Sequence, residues 1–175
     1  MQAKKIRKVK KTKETKEARE ATLFTIRSAH KRDLPWLHLL FEQDGMPHPP
    51  ESDLLNGRVA VNDVDEPVGF IRVLELGDET NPQASGAYVY PVIVFEQWRK
   101  HGVGKALIKQ ALLDFGELRL VACRDSRGFY PRCGFVPLEW EKIAGPIARD
   151  CELCPDLATC DPQPFVAQAD RSEPA

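Results

Sequence analysis

Val94 to Lys105 reads VFEQWRKHGVGK and lies where a β-rich run gives way to an amphipathic helical pattern. Amides at a helix N-terminus have no intrahelical acceptor and lie at the positive end of the helix dipole, so they attract phosphate oxygens. Gly102 and Gly104 lack side chains that would keep a phosphate away from this backbone. Positive charge beside them comes from Arg99, Lys100 and Lys105. The stretch therefore predicts a site for a pyrophosphate group.

Two common phosphate-binding motifs are excluded by their residues. A P-loop requires a Ser or Thr after its Gly-Lys pair and a glycine five residues before it, but Ala106 and Arg99 stand there. The dinucleotide fingerprint requires a third glycine where Leu107 stands. The alternative that remains is close backbone packing at the two glycines, without a ligand.

Apolar periodicity on either side of this stretch predicts alternating strands and helices. Strands are predicted over residues 23–29, 58–63, 67–76, 87–95, 118–123 and 134–140. Helices are predicted over 34–43, with Asp33 as the N-cap, over 99–115, and as a short helix or turn over 125–133. Pro91 cannot donate to a ladder, so its strand should be an edge strand or separate from a neighbour nearby. The order predicts an α/β or α+β fold with a mixed sheet.

The composition is that of a soluble globular protein, with 42% apolar and 29% charged residues in a chain of 175. No apolar run approaches the roughly 20 residues of a membrane-spanning helix, and the N-terminus lacks the apolar stretch of a secretory signal. We therefore predict a cytoplasmic protein without a membrane partner, with one domain over residues 21–175.

Residues 1–20 form a basic tail with nine Lys or Arg against three Glu. The tail has only Ile6 and Val9 to bury, which predicts a solvated, flexible segment. A nucleic-acid-binding arm is the alternative, because clustered basic residues neutralise phosphates. Nothing else in the chain supports it, so no nucleic-acid partner is expected.

Val94 to Gly104 resembles the cofactor motif of the GNAT superfamily of acetyltransferases. That motif has a strand-ending Val, frequently a Pro two residues later, and then [Arg/Gln]-x-x-Gly-x-[Gly/Ala]. The matching residues are Val94, Arg99, Gly102 and Gly104. Glu96 replaces the Pro. A second family motif, an aromatic residue and Tyr followed by x-x-x-Gly-Phe, is matched from Phe129 to Phe135, so the resemblance covers about residues 23–140.

The resemblance implies a mostly antiparallel central sheet flanked by helices, with acetyl-CoA as co-substrate. Backbone groups of Val92, Ile93 and Val94 would bind the pantetheine and the acetyl carbonyl. The pyrophosphate would lie on the loop formed by Arg99, Lys100, His101, Gly102, Val103 and Gly104, followed by Lys105. An amine would attack the thioester directly in a ternary complex, with an amide near Val94 as oxyanion donor and Tyr130 protonating the leaving thiolate.

The general base is left open by the resemblance. Tyr88, Tyr90 and Glu75 lie on strands that should face the site, and packing or solvation is the alternative for each. The family often places Asn seven residues before the tyrosine, where Cys123 stands here. Cys123 is either a reactive thiol or a small buried hydrophobe.

Cys151, Cys154 and Cys160 follow the spacing C-x2-C-x5-C within the segment 150–162. This segment resembles the C-terminal part of short GNAT-type N-acetylglutamate synthases, which adds amino acids to the candidate acceptors. In the GNAT fold it would lie in a long insertion without regular structure between two final strands, 135–140 and 165–168, beside the acceptor pocket. The three thiolates predict zinc or an iron–sulfur cluster, with a fourth ligand from Asp150, Asp161, Cys133 or a partner. Reduced thiols, or a disulfide formed on oxidation, explain the spacing without metal.

Two functions remain open on the sequence. The first is an acetyl-CoA-dependent N-acetyltransferase acting on a small-molecule amine, with amino acids among the candidates. The second is a GNAT-fold binding or regulatory module of weak activity, with a basic nucleic-acid-binding arm. A homodimer is compatible with both.

Overall fold

The computed structural model describes residues 23–169, so the predictions for the tail over residues 1–20 lie outside the described residues. The described chain divides into two compact units. The first comprises the described residues up to Phe70 together with Ile93–Ala106, and the second comprises Ile71–Val92 together with the described residues from Leu107 onward. A single domain over 21–175 stays a prediction.

The strands are β1 (Thr25–Ser28), β2 (Gly57–Val61), β3 (Pro67–Leu76), β4 (Gly86–Val94), β5 (Glu117–Ala122), β6 (Val136–Pro137) and β7 (Gln163–Gln168). The helices are α1 (Leu34–Gln43), α2 (Val103–Phe115), α3 (Gly145–Glu152) and α4 (Leu157–Cys160). The sheet has the order β1-β2-β3-β4-β5-β7-β6, with β4 parallel to β5 and β5 antiparallel to β7. The predicted mixed α/β fold is confirmed. None of the helices within residues 23–169 has the length and apolarity to cross a lipid bilayer.

The first unit has an apolar core on one face of α1. Leu37, Leu40 and Phe41 recur at the helical spacing of three and four residues and are buried. They cluster with Val59, Val61, Phe70 and Ile93 of the strands. The predicted helix over 34–43 is confirmed to the residue.

Asp33 is the N-cap residue of α1, as predicted, but its side chain makes no capping hydrogen bond. The Asp33 carboxylate is buried and accepts hydrogen bonds from two nitrogens of Arg27, at 2.8 and 2.9 Å, and from the His30 amide at 2.8 Å. Burial acts to raise the pKa of Asp33, but the bonds from Arg27 and His30 outweigh it, and the pKa lies below its usual value. A charged donor on β1 competes successfully with the helix amides for this carboxylate.

We expect Asp33→Asn to lower the free energy of unfolding by about 3 kcal/mol at pH 7, because it removes the main carboxylate facing a largely buried guanidinium. A depressed folded-state pKa stabilises the fold above the unfolded-state value, near pH 4, and this stabilisation is lost as the pH falls through the folded-state pKa. Chemical denaturation at pH 7 and pH 3 should therefore show the gap to wild type shrinking at low pH. Asp63→Asn, at an exposed carboxylate, should stay within about 0.5 kcal/mol. A difference in the free energy of unfolding between wild type and Asp33→Asn that does not change with pH would contradict the ionic origin.

β4 separates from β5 close to Pro91. The described ladder between these strands holds a single pair, Tyr88 opposite Arg119. In the sheet order β4 has a neighbour on each side, so it is no edge strand. Of the two alternatives that proline allows, separation from a neighbour is confirmed.

The second unit contains β5, β7 and β6 as an antiparallel ladder. Ala122 faces Gln163 at one end of the β5–β7 pair, and Val136 faces Val166 between β6 and β7. The predicted final hairpin is confirmed, although the strand predicted over 134–140 is reduced to β6. The insertion over residues 138–162 between β6 and β7 carries α3 and α4, so the expectation that it lacks regular structure is wrong.

Candidate active site

The loop before α2 turns through two left-handed residues. Lys100 has φ 66° and Gly102 has φ 84°, values that no right-handed helix contains. For this reason α2 begins at Val103, and the helix predicted over 99–115 is too long by four residues. The loop ends at a helix N-terminus, which is the arrangement that the pyrophosphate prediction requires.

Arg99 holds this loop in place. Its Nε donates to the carbonyl of Val94 at 3.1 Å, and its second terminal nitrogen pairs with Asp44 at 2.7 Å. Gln43 also accepts a hydrogen bond from the Glu96 amide at 2.9 Å. Part of the Arg99 charge is thus neutralised within the protein, and its guanidinium positions the loop.

Exposed Lys100 and Lys105 remain as the cations that an anionic ligand would meet at this loop. The Val94 carbonyl already accepts from Arg99, so the predicted contact of Val94 with the acetyl carbonyl falls to its amide. The Ile93 side chain is buried in the core of the first unit, which leaves only its backbone for a ligand. The cofactor roles of Val92, Ile93, Val94 and the loop residues stay predictions.

A cavity of about 190 Å³ opens in the second unit, where β4 and β5 part. Its walls come from β4, from the end of β5 and from the insertion, and are mainly apolar. The lining residues are Tyr88, Val89, Tyr90, Leu120, Val121, Cys123, Ile147, Asp150, Cys151, Cys154, Leu157, Cys160 and Pro162. The prediction that the insertion borders a pocket agrees with this arrangement.

Asp150 brings a carboxylate to this cavity, beside Tyr90. The Tyr90 hydroxyl donates to Asp150 Oδ2 at 3.3 Å, and the guanidinium of Arg72 lies 5.5 Å from the centre of the Tyr90 ring. Burial raises the pKa of Tyr90, and the neighbouring Asp150 charge raises it further. Tyr90 is therefore a hydroxyl donor at neutral pH, and Asp150 is the acceptor of the pair.

The other two candidate bases lie in different surroundings. Tyr88 is fully buried, and its hydroxyl donates to the Ala84 carbonyl at 2.6 Å and accepts from the Ala144 amide at 2.9 Å. These bonds give Tyr88 a structural role. Glu75 lines a separate cavity with Phe115.

Tyr130 lies in an aromatic cluster that its motif creates. Its ring centroid is 5.2 Å from that of Phe129, 5.6 Å from Phe135 and 6.2 Å from Phe165. Burial, followed by the charges of Cys133 and Cys123, raises the pKa of Tyr130 to about 12. The hydroxyl keeps its proton at neutral pH, as a general acid requires.

Four cysteines line the cavity: Cys123, Cys151, Cys154 and Cys160. A hydrogen bond between Cys123 and Cys160, together with burial, raises the pKa of the Cys123 thiol to about 11. Burial, and then the charges of Cys160, Cys154 and Asp150, also raise the pKa of Cys151. Between residues 23 and 169, no three His, Cys, Asp or Glu side chains are grouped so as to hold a metal ion. The predicted zinc or iron–sulfur cluster at Cys151, Cys154 and Cys160 is thus not shown and stays a prediction.

Residues 56–137 match the family model of the acetyltransferase (GNAT) domain, so the predicted resemblance is confirmed over those residues. An uncharacterized N-acetyltransferase of Chlorobaculum tepidum is 31% identical over 78 residues, which make up 43% of this chain and 50% of that protein.

Two solved structures share the fold. The N-acetylglutamate synthase of Neisseria gonorrhoeae, complexed with coenzyme A and L-arginine, matches with a TM-score of 0.68 at 14% identity, over 86% of this chain and 34% of that chain. Rv2747 of Mycobacterium tuberculosis, solved in complex with CoA, matches with a TM-score of 0.64 at 14% identity, over 83% of this chain and 99% of that chain. The chain thus spans half of its curated relative and about a third of the synthase. At these identities the solved structures show the fold alone.

Sequence reasoning missed two members of the cavity. The sequence predicts Asp150 as a possible metal ligand, and no local signal places it beside Tyr90. Nothing near Cys123 in the sequence predicts that it lines one cavity with three cysteines that follow it by 28 to 37 residues. Both depend on how the insertion folds back over β5.

Proposed function

We propose that this chain transfers an acetyl group from acetyl-CoA to the amine of a small molecule. The observation that carries the proposal is the cavity on a GNAT domain, opening where β4 and β5 part and holding one carboxylate. Two structures with the same fold were solved in complex with coenzyme A, which supports acetyl-CoA as the donor.

Acetyl-CoA would bind along the second half of β4 and the loop that follows. Backbone groups of Val92, Ile93 and the Val94 amide would meet the pantetheine and acetyl carbonyl. The amides of the first turn of α2, with Lys100 and Lys105, would hold the pyrophosphate.

The acceptor would occupy the cavity, with its nitrogen towards Asp150. An ammonium group pairs with this carboxylate and gives up a proton to it, and the neutral amine then attacks the acetyl carbonyl. The new C–N bond forms as the C–S bond breaks, and Tyr130 protonates the departing thiolate. The nitrogen loses its second proton to solvent, and solvent returns a proton to Tyr130. Tyr90 donates to Asp150 and orients it.

An amino-acid acceptor is the second candidate. It is favoured by the cysteine spacing, which resembles that of short N-acetylglutamate synthases, and by the fold shared with the synthase of Neisseria gonorrhoeae. Its carboxylate would require a cation, and the Arg72 guanidinium lies beside the cavity lining, over the Tyr90 ring. A simple amine needs no such partner in this mainly apolar cavity.

The test measures free thiol released from acetyl-CoA against a panel of primary amines and the same compounds bearing an α-carboxylate. We expect turnover with members of one series, and Asp150→Asn should lower kcat/KM by about 100-fold, because the general base is lost. Glu152→Gln, at an exposed carboxylate two residues away, is the matched control and should keep the wild-type value.

A melting temperature raised by acetyl-CoA, without turnover of either series, would instead support the binding or regulatory module. Full activity of Asp150→Asn would assign the base to another group.

A further inference from the structure

We infer that Cys123 and Cys160 form a reversible disulfide, a redox site that takes a hydroperoxide as its oxidant. Both side chains line the same cavity, with Cys123 directly after β5 and Cys160 three residues before β7. All five cysteines are thiols in this structure. The bond would join the end of β5 to the end of the insertion.

The strand ladder brings these two cysteines together. Ala122 faces Gln163 at the last pair of the β5–β7 ladder, so Cys123 continues β5 one residue beyond it and Cys160 precedes β7 by three residues. Asp161 has φ 47°, a left-handed turn that leads the chain from α4 into β7. The backbone therefore places Cys123 and Cys160 near each other, and their proximity does not depend on flexible side chains alone.

An ion pair ties the same two segments a second time. Arg127 pairs with Asp161, the residue after Cys160. The Arg127 amide donates to the Cys123 carbonyl at 3.1 Å. The segments that carry the two thiols are thus held in register on both sides of the pair.

The other cavity thiols are arranged differently. Cys151 lies in α3 and Cys154 two residues beyond it, whereas Cys160 lies three residues before β7, whose ladder with β5 ends at Ala122, the residue before Cys123. With no three potential ligands grouped for a metal among residues 23–169, a two-thiol reaction fits this arrangement better than coordination. Cys123 is exposed and Cys160 is partly exposed, so a small oxidant can reach them.

The reaction balances with a hydroperoxide. The Cys160 sulfur attacks the peroxide oxygen, which gives a sulfenic acid and one alcohol, or water when hydrogen peroxide is used. The Cys123 sulfur then attacks the sulfenic sulfur, the S–S bond forms, and hydroxide leaves as water with the Cys123 proton. Two thiols lose two electrons in total, and the peroxide gains them. A dithiol reductant reverses the change by exchange.

The disulfide would affect turnover because both cysteines line the cavity that the acceptor is proposed to enter; this consequence rests on the proposed function. A covalent link from β5 to α4 restrains the insertion at the cavity wall. We expect oxidation to lower kcat/KM by about fivefold, because the link would fix one wall of the cavity that the acceptor is proposed to occupy.

The test treats the full-length protein with a few equivalents of hydrogen peroxide and then titrates thiols under denaturing conditions. The count should fall from five to three, and peptide mapping should find Cys123 linked to Cys160. Dithiothreitol should restore all five. Cys154→Ser, a cavity cysteine outside the pair, should keep the link, whereas Cys123→Ser and Cys160→Ser should abolish it.

A link that joins Cys151 or Cys154 instead, an unchanged thiol count, or one equivalent of zinc or iron bound by the purified protein would overturn the proposal. The activity assay compares the kcat/KM of oxidised and reduced protein for each variant. For Cys123→Ser the two values should be equal. A mapped disulfide with no change in kcat/KM would overturn only its effect on turnover. Absence of any acetyl transfer would defeat the proposed function and leave the peptide map to decide the disulfide.

Discussion

Tyr130→Phe should lower kcat by about 10- to 1,000-fold and leave the Kd of acetyl-CoA within about twofold of wild type. The hydroxyl would matter only when the C–S bond breaks, because its proposed role is to protonate the leaving thiolate. The ring stays, so its contacts with Phe129, Phe135 and Phe165 are kept. Steady-state kinetics and calorimetric titration of acetyl-CoA separate the two effects.

Tyr88→Phe provides the contrast, because the same atom is removed from a buried tyrosine with a structural role. It leaves the Ala144 amide without its acceptor, so its main effect should be a lower melting temperature. Since the raised pKa of Tyr130 keeps the acid form up to about pH 12, wild-type kcat should show no loss between pH 7 and pH 9 from this group. Wild-type kcat in Tyr130→Phe would mean that water or another group protonates the thiolate.

Gly104→Val should raise the Kd of acetyl-CoA by roughly 100-fold, which corresponds to about 2.8 kcal/mol. Gly104 lies in the first turn of α2, where the proposed pyrophosphate approaches the backbone, and the branched side chain would occupy that space. Gly102 is a poorer probe, because its φ of 84° makes any side chain strain the loop itself. Calorimetric titration with acetyl-CoA measures the change.

Gly104→Ala is the matched control, because the family motif accepts Gly or Ala at this position. It should keep the Kd close to wild type and should not lower the melting temperature, since Ala favours a helix over Gly. A folded Gly104→Val protein that binds acetyl-CoA normally would remove the loop from the cofactor site.

The elements nearest to strong local signals were predicted well. Apolar periodicity is enough for α1, and the missing N–H of Pro91 is enough to predict that β4 separates from a neighbour. The predicted boundaries of the elements are wrong where the backbone conformation decides them. The helix α2 begins at Val103 and not at the predicted Arg99, because Lys100 and Gly102 adopt left-handed backbone angles that their residue types do not predict.

Roles of individual polar side chains were predicted less well. Asp33 has the residue type and the position of a helix cap, yet it binds Arg27 on β1. Arg99 matches a cofactor motif, yet two of its nitrogens bind the Val94 carbonyl and Asp44. In both cases an oppositely charged side chain on another element forms an ion pair: Arg27 lies six residues before Asp33, and Asp44 lies 55 residues before Arg99.

The sequence by itself determined the fold class and the two motifs, because glycine, proline and apolar spacing act over a few neighbouring residues. Only the tertiary structure decided that Asp150 faces Tyr90 and that Cys123 lines the same cavity as Cys160, 37 residues further along the chain. The β5–β7 register and the path of the insertion set these pairs. A spacing such as C-x2-C-x5-C shows that thiols are close in the chain, whereas contact between side chains depends on how strands pair.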